Sequence, residues 1–355
     1  MKPIDDKPAP IQGWLGNLAA RGARVEGHRV VHFGELDAEL RAAQAGTVLC
    51  DLSHLGLIAA SGPDTVAFLQ GQVSSDVRQL KDNRAQLSSY NTPKGRMLAS
   101  LLLYQCLKTI FLQLAWELVE PIRKRLEMFV LRSKVQLADA SDAFVRLGVA
   151  GAEAEALLAA SLGASPSVAF DVAQIDLVTV IRLPGDRFEI VAPLEPAKGL
   201  WSKLSAGARP AGAQVWDWLE IRAGIPTITS ATQDQFVPQM ANLELIGGVS
   251  FQKGCYPGQE IVARTQYLGR LKRRMYLAHA GEDTAPAPGD ELYSADLDGQ
   301  ASGMVVNAAP APEGGFDLLA VIQTSSATSQ PIHLGSLAGP TLELRPLPYP
   351  LQPSF

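Results

Sequence analysis

Twice in this sequence a short strand-like run ends in glycine and passes straight into a helix-spaced stretch. Leu57–Ala60 leads through Ser61-Gly62-Pro63-Asp64 to apolar residues at Val66, Leu69, Val73, Val77 and Leu80, a helical spacing that Gly71 can interrupt. Phe144–Ala150 ends at Gly151 and leads into the alanine- and leucine-rich stretch Ala152–Leu162. The repeated phrase predicts two strand–glycine–helix halves of similar layout. Around it lie strands at Arg29–Phe33 and Thr47–Leu49 and a helix over Asp37–Ala45 closed by Gly46. Gln86–Tyr90 and Leu98–Tyr104 form a hairpin around Pro93-Lys94-Gly95-Arg96, and Val119, Ile122, Leu126, Phe129 and Val130 mark a second amphipathic helix. Strands at Ile175–Leu183 and Arg187–Val191 then precede a helix near Ala197–Leu204.

From Arg274 onward the pattern changes. Five short apolar runs (Met275–Ala278, Glu291–Tyr293, Met304–Val306, Leu318–Ile322, Thr341–Leu344) are separated by Pro- and Gly-rich loops, which predicts a small antiparallel barrel or sandwich. The expected boundary lies near residue 270, dividing the chain into 1–270 and 271–355. A chain of 355 residues, 47% hydrophobic and 19% charged, buries a substantial core and is no disordered polymer. Its net charge of −5 argues against a dedicated nucleic-acid coat. The longest apolar stretch, Met97 to Trp116, carries Gln105, Lys108 and Gln113 and suits two strands better than a membrane span. Residues Met1 to Pro10 carry Asp5 and Asp6 and no apolar core, and three scattered cysteines fit a reducing compartment. The expectation is a cytoplasmic protein.

The chemistry concentrates in Phe251-Gln252-Lys253-Gly254-Cys255-Tyr256-Pro257-Gly258-Gln259-Glu260. Cys255 sits between two glycines that permit close ligand approach, with Lys253 placed to favour the thiolate and a helix starting at Gln259. The bland alternative is a turn around a buried cysteine. No metal site is expected: there is no Cys-x-x-Cys pair, and His28 and His32 fall in a strand, too far apart to share an ion. A nucleophile elbow, a P-loop and a dinucleotide fingerprint are absent. Downstream, Arg264, Arg270, Lys272, Arg273 and Arg274 form a basic run suited to an acidic ligand, to RNA phosphates, or simply to solvent. Trp216 and Trp218 lie one position apart on a helix and diverge by about 100°, so one of them either lines a cavity or packs under a loop.

The signature Lys253-Gly254-Cys255-Tyr256-Pro257-Gly258-Gln259-Glu260 resembles that of the YgfZ family of folate-binding proteins, relatives of the glycine cleavage T-protein. Further matches are Gln235–Leu243, Leu69–Val77, Lys94-Gly95-Arg96 and Pro346-Leu347-Pro348-Tyr349, so the likeness runs from about residue 50 to the C-terminus. The resemblance implies two related folate-binding α+β subdomains plus a C-terminal antiparallel β-barrel around a central cavity. It implies tetrahydrofolate as cofactor and iron–sulfur enzymes, including those that thiolate tRNA, as clients, with a monomeric state and no direct tRNA binding expected. The functional pair it implies is Cys255 with Lys253. The residues toward the cofactor are Trp216, Leu55, Gly254, Tyr256, Gly258, Gln259 and Arg264. This chain also departs from the family pattern. Leu55 stands where better-known members carry a second tryptophan, and Arg222 replaces a common glutamate, which Glu220 would have to substitute. Gly95-Arg96-Met97 runs into Leu98-Ala99, without the acidic pair of the T-protein. A folate-dependent aminomethyl-type transferase is the alternative, and the missing pair counts against it.

Overall fold

The computed structural model describes residues 10–267 and 271–351; the stretch before residue 10 and Arg270, both read above, lie outside the described residues. In chain order the elements begin with α1 (Pro10–Ala19), β1 (Arg24–Glu26), β2 (Arg29–His32), α2 (Leu36–Ala45), β3 (Val48–Asp51), β4 (Leu55–Ser61) and α3 (Thr65–Gln70). There follow β5 (Ala85–Asn91), β6 (Met97–Cys106), β7 (Thr109–Ala115), α4 (Val119–Glu127), β8 (Gln136–Asp139), β9 (Val145–Ala150) and α5 (Ala154–Leu162). Next come β10 (Val172–Ile175), β11 (Val178–Leu183), β12 (Arg187–Ala192), α6 (Leu194–Leu204), β13 (Arg209–Ala211), α7 (Ala213–Arg222) and α8 (Gln259–Tyr267). The last are β14 (Arg273–Ala280), β15 (Glu291–Tyr293), β16 (Ala301–Pro310), β17 (Phe316–Gln323), α9 (Thr324–Ser329), β18 (Ile332–Leu334) and β19 (Thr341–Arg345).

The chain forms two compact units and crosses between them three times. One comprises Met1–Gly56 and Asp139–Trp216, the other Leu57–Ala138 and Asp217–Phe355. A single break near residue 270 therefore does not describe the partition. What begins there is the barrel, with β14 starting at Arg273 inside the second unit.

The repeated phrase is a structural repeat. Each copy runs strand, helix, three antiparallel strands, helix, strand, and the sheet orders correspond: β5-β6-β7-β4 in the second unit and β10-β11-β12-β9 in the first. The strand beside the opening strand differs in origin between the copies. β8, which leads on toward β9, lies beside β4, while β3, which leads on toward β4, lies beside β9. The two glycines that end the phrases share one backbone state, with φ of 120° at Gly62 and 122° at Gly151. A side chain at either would overlap the backbone of the neighbouring segment, Lys134 for Gly62 and Gly46 for Gly151.

Several elements differ from the sequence expectation for local reasons. The helix expected through Leu80 ends at Gln70, and Val73 instead bridges Tyr90. Beyond it Asp76 caps a separate short turn at Val77–Gln79 by accepting from the Arg78 amide. α4 stops at Glu127, so Phe129 is not on its buried face. The single strand expected over Ile175–Leu183 is a hairpin, broken at Asp176, which has φ of 52°. α1 and the three-residue β18 were not anticipated; β18 carries His333 between two apolar residues and is too short to show alternation.

The sheet of the first unit, β10-β11-β12-β9-β3-β13, is apolar on one face. Leu49, Leu147, Val149, Val180, Phe188 and Ile190 pack there against Trp14, Leu158, Leu200 and Trp201 of the helices. In the second unit, β14-β17-β16-β15-β18-β19 close into an antiparallel barrel filled by Ala278, Leu292, Val305, Leu318, Ala320 and Ile322. Among the described residues no helix is long and apolar enough to cross a membrane.

Candidate functional site

The cysteine-bearing segment is held from behind by the stretch after α3. The Ser74 hydroxyl donates to the Gly248 carbonyl at 2.6 Å, and the Ser250 amide donates to the Ser74 carbonyl at 2.9 Å. Lys253 completes the attachment, its ammonium donating to the Val73 carbonyl at 2.5 Å and the Ser75 carbonyl at 2.9 Å. The side chain is 8% exposed, and burial pushes its pKa down to about 8. Its ammonium also lies 4.9 Å from the centre of the Tyr256 ring, itself buried with its hydroxyl pushed up to about 12.

On the other side of Cys255 the segment meets the β5–β6 turn. Gly258, with φ of 78°, packs on Gly95, with φ of 73°; a Cβ on Gly258 would stand 2.5 Å from the Gly95 Cα. Neither position tolerates a side chain, so the two turns approach backbone to backbone. The Gln235–Leu243 segment locks the same region. The Met97 amide donates to the Phe236 carbonyl at 2.8 Å, Arg96 donates to the Gln235 carbonyl at 2.6 Å, and the Gln239 side-chain carboxamide donates to the Val262 carbonyl at 2.6 Å in α8. Four stretches that carry the family resemblance thus meet at one place in the second unit.

Cys255 is exposed at the crest of this framework. Gly254 and Arg264 are also exposed, and nothing lies within 4 Å of a side chain built on Gly254. Other expected residues make contacts within the second unit. The Lys253 ammonium donates to two carbonyls, Gly258 packs on Gly95, and Tyr256 is buried. Gln259 donates back to the Lys253 carbonyl at 3.4 Å. The basic run divides: Lys272 and Arg273 are exposed, whereas Arg274 donates to the Gln239 carbonyl at 2.9 Å and pairs with the buried Glu244. Of the other cysteines, Cys50 is buried in β3 and Cys106 is half-buried at the end of β6.

Trp216 and Leu55 belong to the first unit. Trp216 is 1% exposed, its ring lies over Gly148, where any side chain would overlap it, and the Arg187 guanidinium sits 5.5 Å from its centre. As described, this indole is packed and presents no open face. Trp218, on the same helix, donates to Asp317 at 2.9 Å in the second unit; Asp317 also meets His279 at 2.9 Å and lies 3.7 Å from Arg222. Leu55 is half-buried at the start of β4.

The same face of the first unit's sheet shows what sequence reasoning missed. Glu189 pairs across the ladder with Gly148, so it shares a face with Arg187 and Trp216. Glu189 and Arg187 are both buried. The alternation Arg187-Phe188-Glu189-Ile190 was legible, but it reads as a strand with one solvent-facing side; only the fold shows that both sides are covered.

Comparisons with known proteins agree with this architecture. Residues 14–253 match the GCVT N-terminal domain. The tRNA-modifying protein YgfZ of Yersinia pseudotuberculosis is 33% identical over 306 residues, covering 85% of this chain and 92% of the relative. The protein of the same name from Yersinia enterocolitica is 32% identical over 315 residues, covering 88% and 95%. Among solved structures, the glycine cleavage system aminomethyltransferase T of Bartonella henselae superposes with a TM-score of 0.79 at 21% identity, over 96% of this chain and 98% of that one, and so shares the fold. On the domain matched and the identity across most of both chains, this protein belongs to the YgfZ family, built on the GCVT N-terminal domain.

Proposed function

We propose that this chain is a tetrahydrofolate-binding accessory protein that supports iron–sulfur enzymes, including tRNA-thiolating ones, through Cys255. The observation that carries the reading is the investment around one thiol. Serine, lysine and paired glycines from distant stretches fix the backbone on both sides of Cys255 while the sulfur remains exposed. A structural cysteine would be buried. An exposed thiol on a fixed loop is placed to meet another molecule. The relatives' name, tRNA-modifying protein, fits a client of that kind.

What supports the folate reading in this chain is the buried polar face of the first unit's sheet. A pterin presents a row of ring N–H donors and a flat face, and a buried carboxylate is the natural acceptor for such a row. Glu189 supplies it on the face that carries Arg187 and Trp216. Arg187 and Arg146, buried on the same face, add cationic donors for a carbonyl or carboxylate of the ligand. Bound tetrahydrofolate would supply one-carbon or reducing chemistry; this chain's part is to bind and orient it. No acidic pair follows the β5–β6 turn, where Arg96 is occupied with the Gln235 carbonyl, and this weighs against aminomethyl transfer.

Calorimetric titration with tetrahydrofolate tests the cofactor half. Wild type should bind, and Glu189→Gln should bind at least about tenfold more weakly with its melting temperature retained. Absence of binding by the wild type removes tetrahydrofolate from the proposal. Complementation tests the thiol: Cys255→Ser should fail to restore iron–sulfur enzyme activity in a null strain, and full rescue would dismiss the role of Cys255.

A further inference from the structure

The turn after α4 holds three large apolar side chains away from the core. Met128, Phe129 and Leu131 are 63%, 44% and 87% exposed. Slack chain is not the reason. The amides of Met128, Phe129 and Val130 donate back to the last turn of α4, that of Ser133 donates to Val130, and the Lys134 amide is tied to the Asp64 carboxylate at 2.7 Å. Leu131 itself has φ of 47°, a left-handed state in which glycine or asparagine is at ease and leucine is not. An ordered turn that places a leucine in this conformation and then leaves it in water gains nothing for the fold.

The surface here is hollowed and its rim is cationic. One shallow hollow of about 730 Å³ is lined by Asp64, Phe129, Leu131 and Arg132, and a second of about 350 Å³ lies beside Met128, Lys124 and Arg125. Lys124 shares its charge with Glu120. Arg132 and Lys134 are exposed, and among the described residues no carboxylate pairs with their side chains. From Val119 to Lys134 five cations stand against two carboxylates, in a chain whose net charge is −5. Two copies meeting face to face here would bring Arg132 and Lys134 of each together, which like-charge repulsion opposes. Exposed apolar side chains beside hollows give the inserted side chains of a partner a surface to pack on, and exposed cations at the rim suit carboxylates beside them.

We infer that this face docks a protein partner, through an amphipathic segment whose apolar anchors enter the hollows and whose flanking carboxylates meet Arg132 and Lys134. The inference does not depend on folate binding or on Cys255. The probe is a fluorescently labelled synthetic helix with leucine and phenylalanine on one face and glutamate on the other, titrated against the full chain by anisotropy. Binding should saturate and weaken with salt. It should fall at least about tenfold both in Phe129→Ser/Leu131→Ser and in Arg132→Glu/Lys134→Glu, with melting temperatures unchanged. Failure of the wild type to bind, or equal binding by a folded variant, overturns the inference. So does sedimentation with phosphatidylglycerol vesicles, or self-association, that Leu131→Ser abolishes, since either gives the patch to another occupant.

Discussion

Replacing Lys253 with methionine separates two roles that the sequence leaves superimposed: activating the thiol and anchoring the loop that carries it. The ammonium donates to the Val73 and Ser75 carbonyls at 2.5 and 2.9 Å. Hydrogen bonds from a charged donor contribute about 1.5–3 kcal/mol each, so the pair stabilises by roughly 3–6 kcal/mol. Against this stands the cost of keeping a charge from water. A pKa near 8 in place of 10.5 corresponds to about 3 kcal/mol at neutral pH. Methionine preserves most of the stem's packing, so the net loss should be about 1.5 kcal/mol and not above about 3. Because the folded pKa is depressed, the unfolded chain holds its proton longer than the native one. Stability from this group is therefore lowest below pH 8 and rises as pH climbs from about 8 to about 10.5. Urea unfolding should accordingly show the gap between wild type and Lys253→Met widening over that interval. The companion assay is the pH dependence of Cys255 alkylation in a Cys106→Ser background, which should be nearly unchanged. A thiol pKa raised by about one unit at undiminished stability would refute the anchoring argument and restore Lys253 as an electrostatic activator.

Gly258→Ala forces a left-handed alanine against the Gly95 backbone and should cost more than about 2 kcal/mol, whereas Gly254→Ala, with nothing in its way, should be close to neutral in the same melting experiment. Equal losses at the two positions would contradict the assignment of Gly258 to backbone packing. Asp317→Asn removes a buried charge that receives Trp218, His279 and Arg345, and should destabilise the second unit by about 3–5 kcal/mol, with tryptophan emission shifting as the Trp218 hydrogen bond is lost. A melting temperature within error of wild type would show that water satisfies those donors.

The strand–glycine–helix repeat was legible because its signal is local: a short apolar strand-like run, a glycine suited to φ near +120°, then apolar residues at helical spacing. The start of the barrel near residue 270 showed for the same reason, in the change from helical periods to short runs with Pro and Gly punctuation. Pattern counting failed where tertiary contacts override it. Phe129 fits the apolar face of α4 by spacing yet lies past its end, and Glu189 alternates like a surface residue yet is buried. Nothing in a linear pattern shows that β8 lies beside β4 while β3 lies between β9 and β13, because strand pairing is set by which edges meet in space.

The candidate site divides along the same line. Cys255, its flanking glycines and its lysine were visible as a dense local motif. That Lys253 anchors carbonyls, that Gly95 exists to admit Gly258, and that Trp216 is packed over Gly148 were not. By itself the sequence determined the family and the dense motif around Cys255. The tertiary structure decided which side chain bears load and which meets solvent. Hydrogen bonding and burial act between residues far apart in the chain, as across the 180 positions that separate Val73 from Lys253.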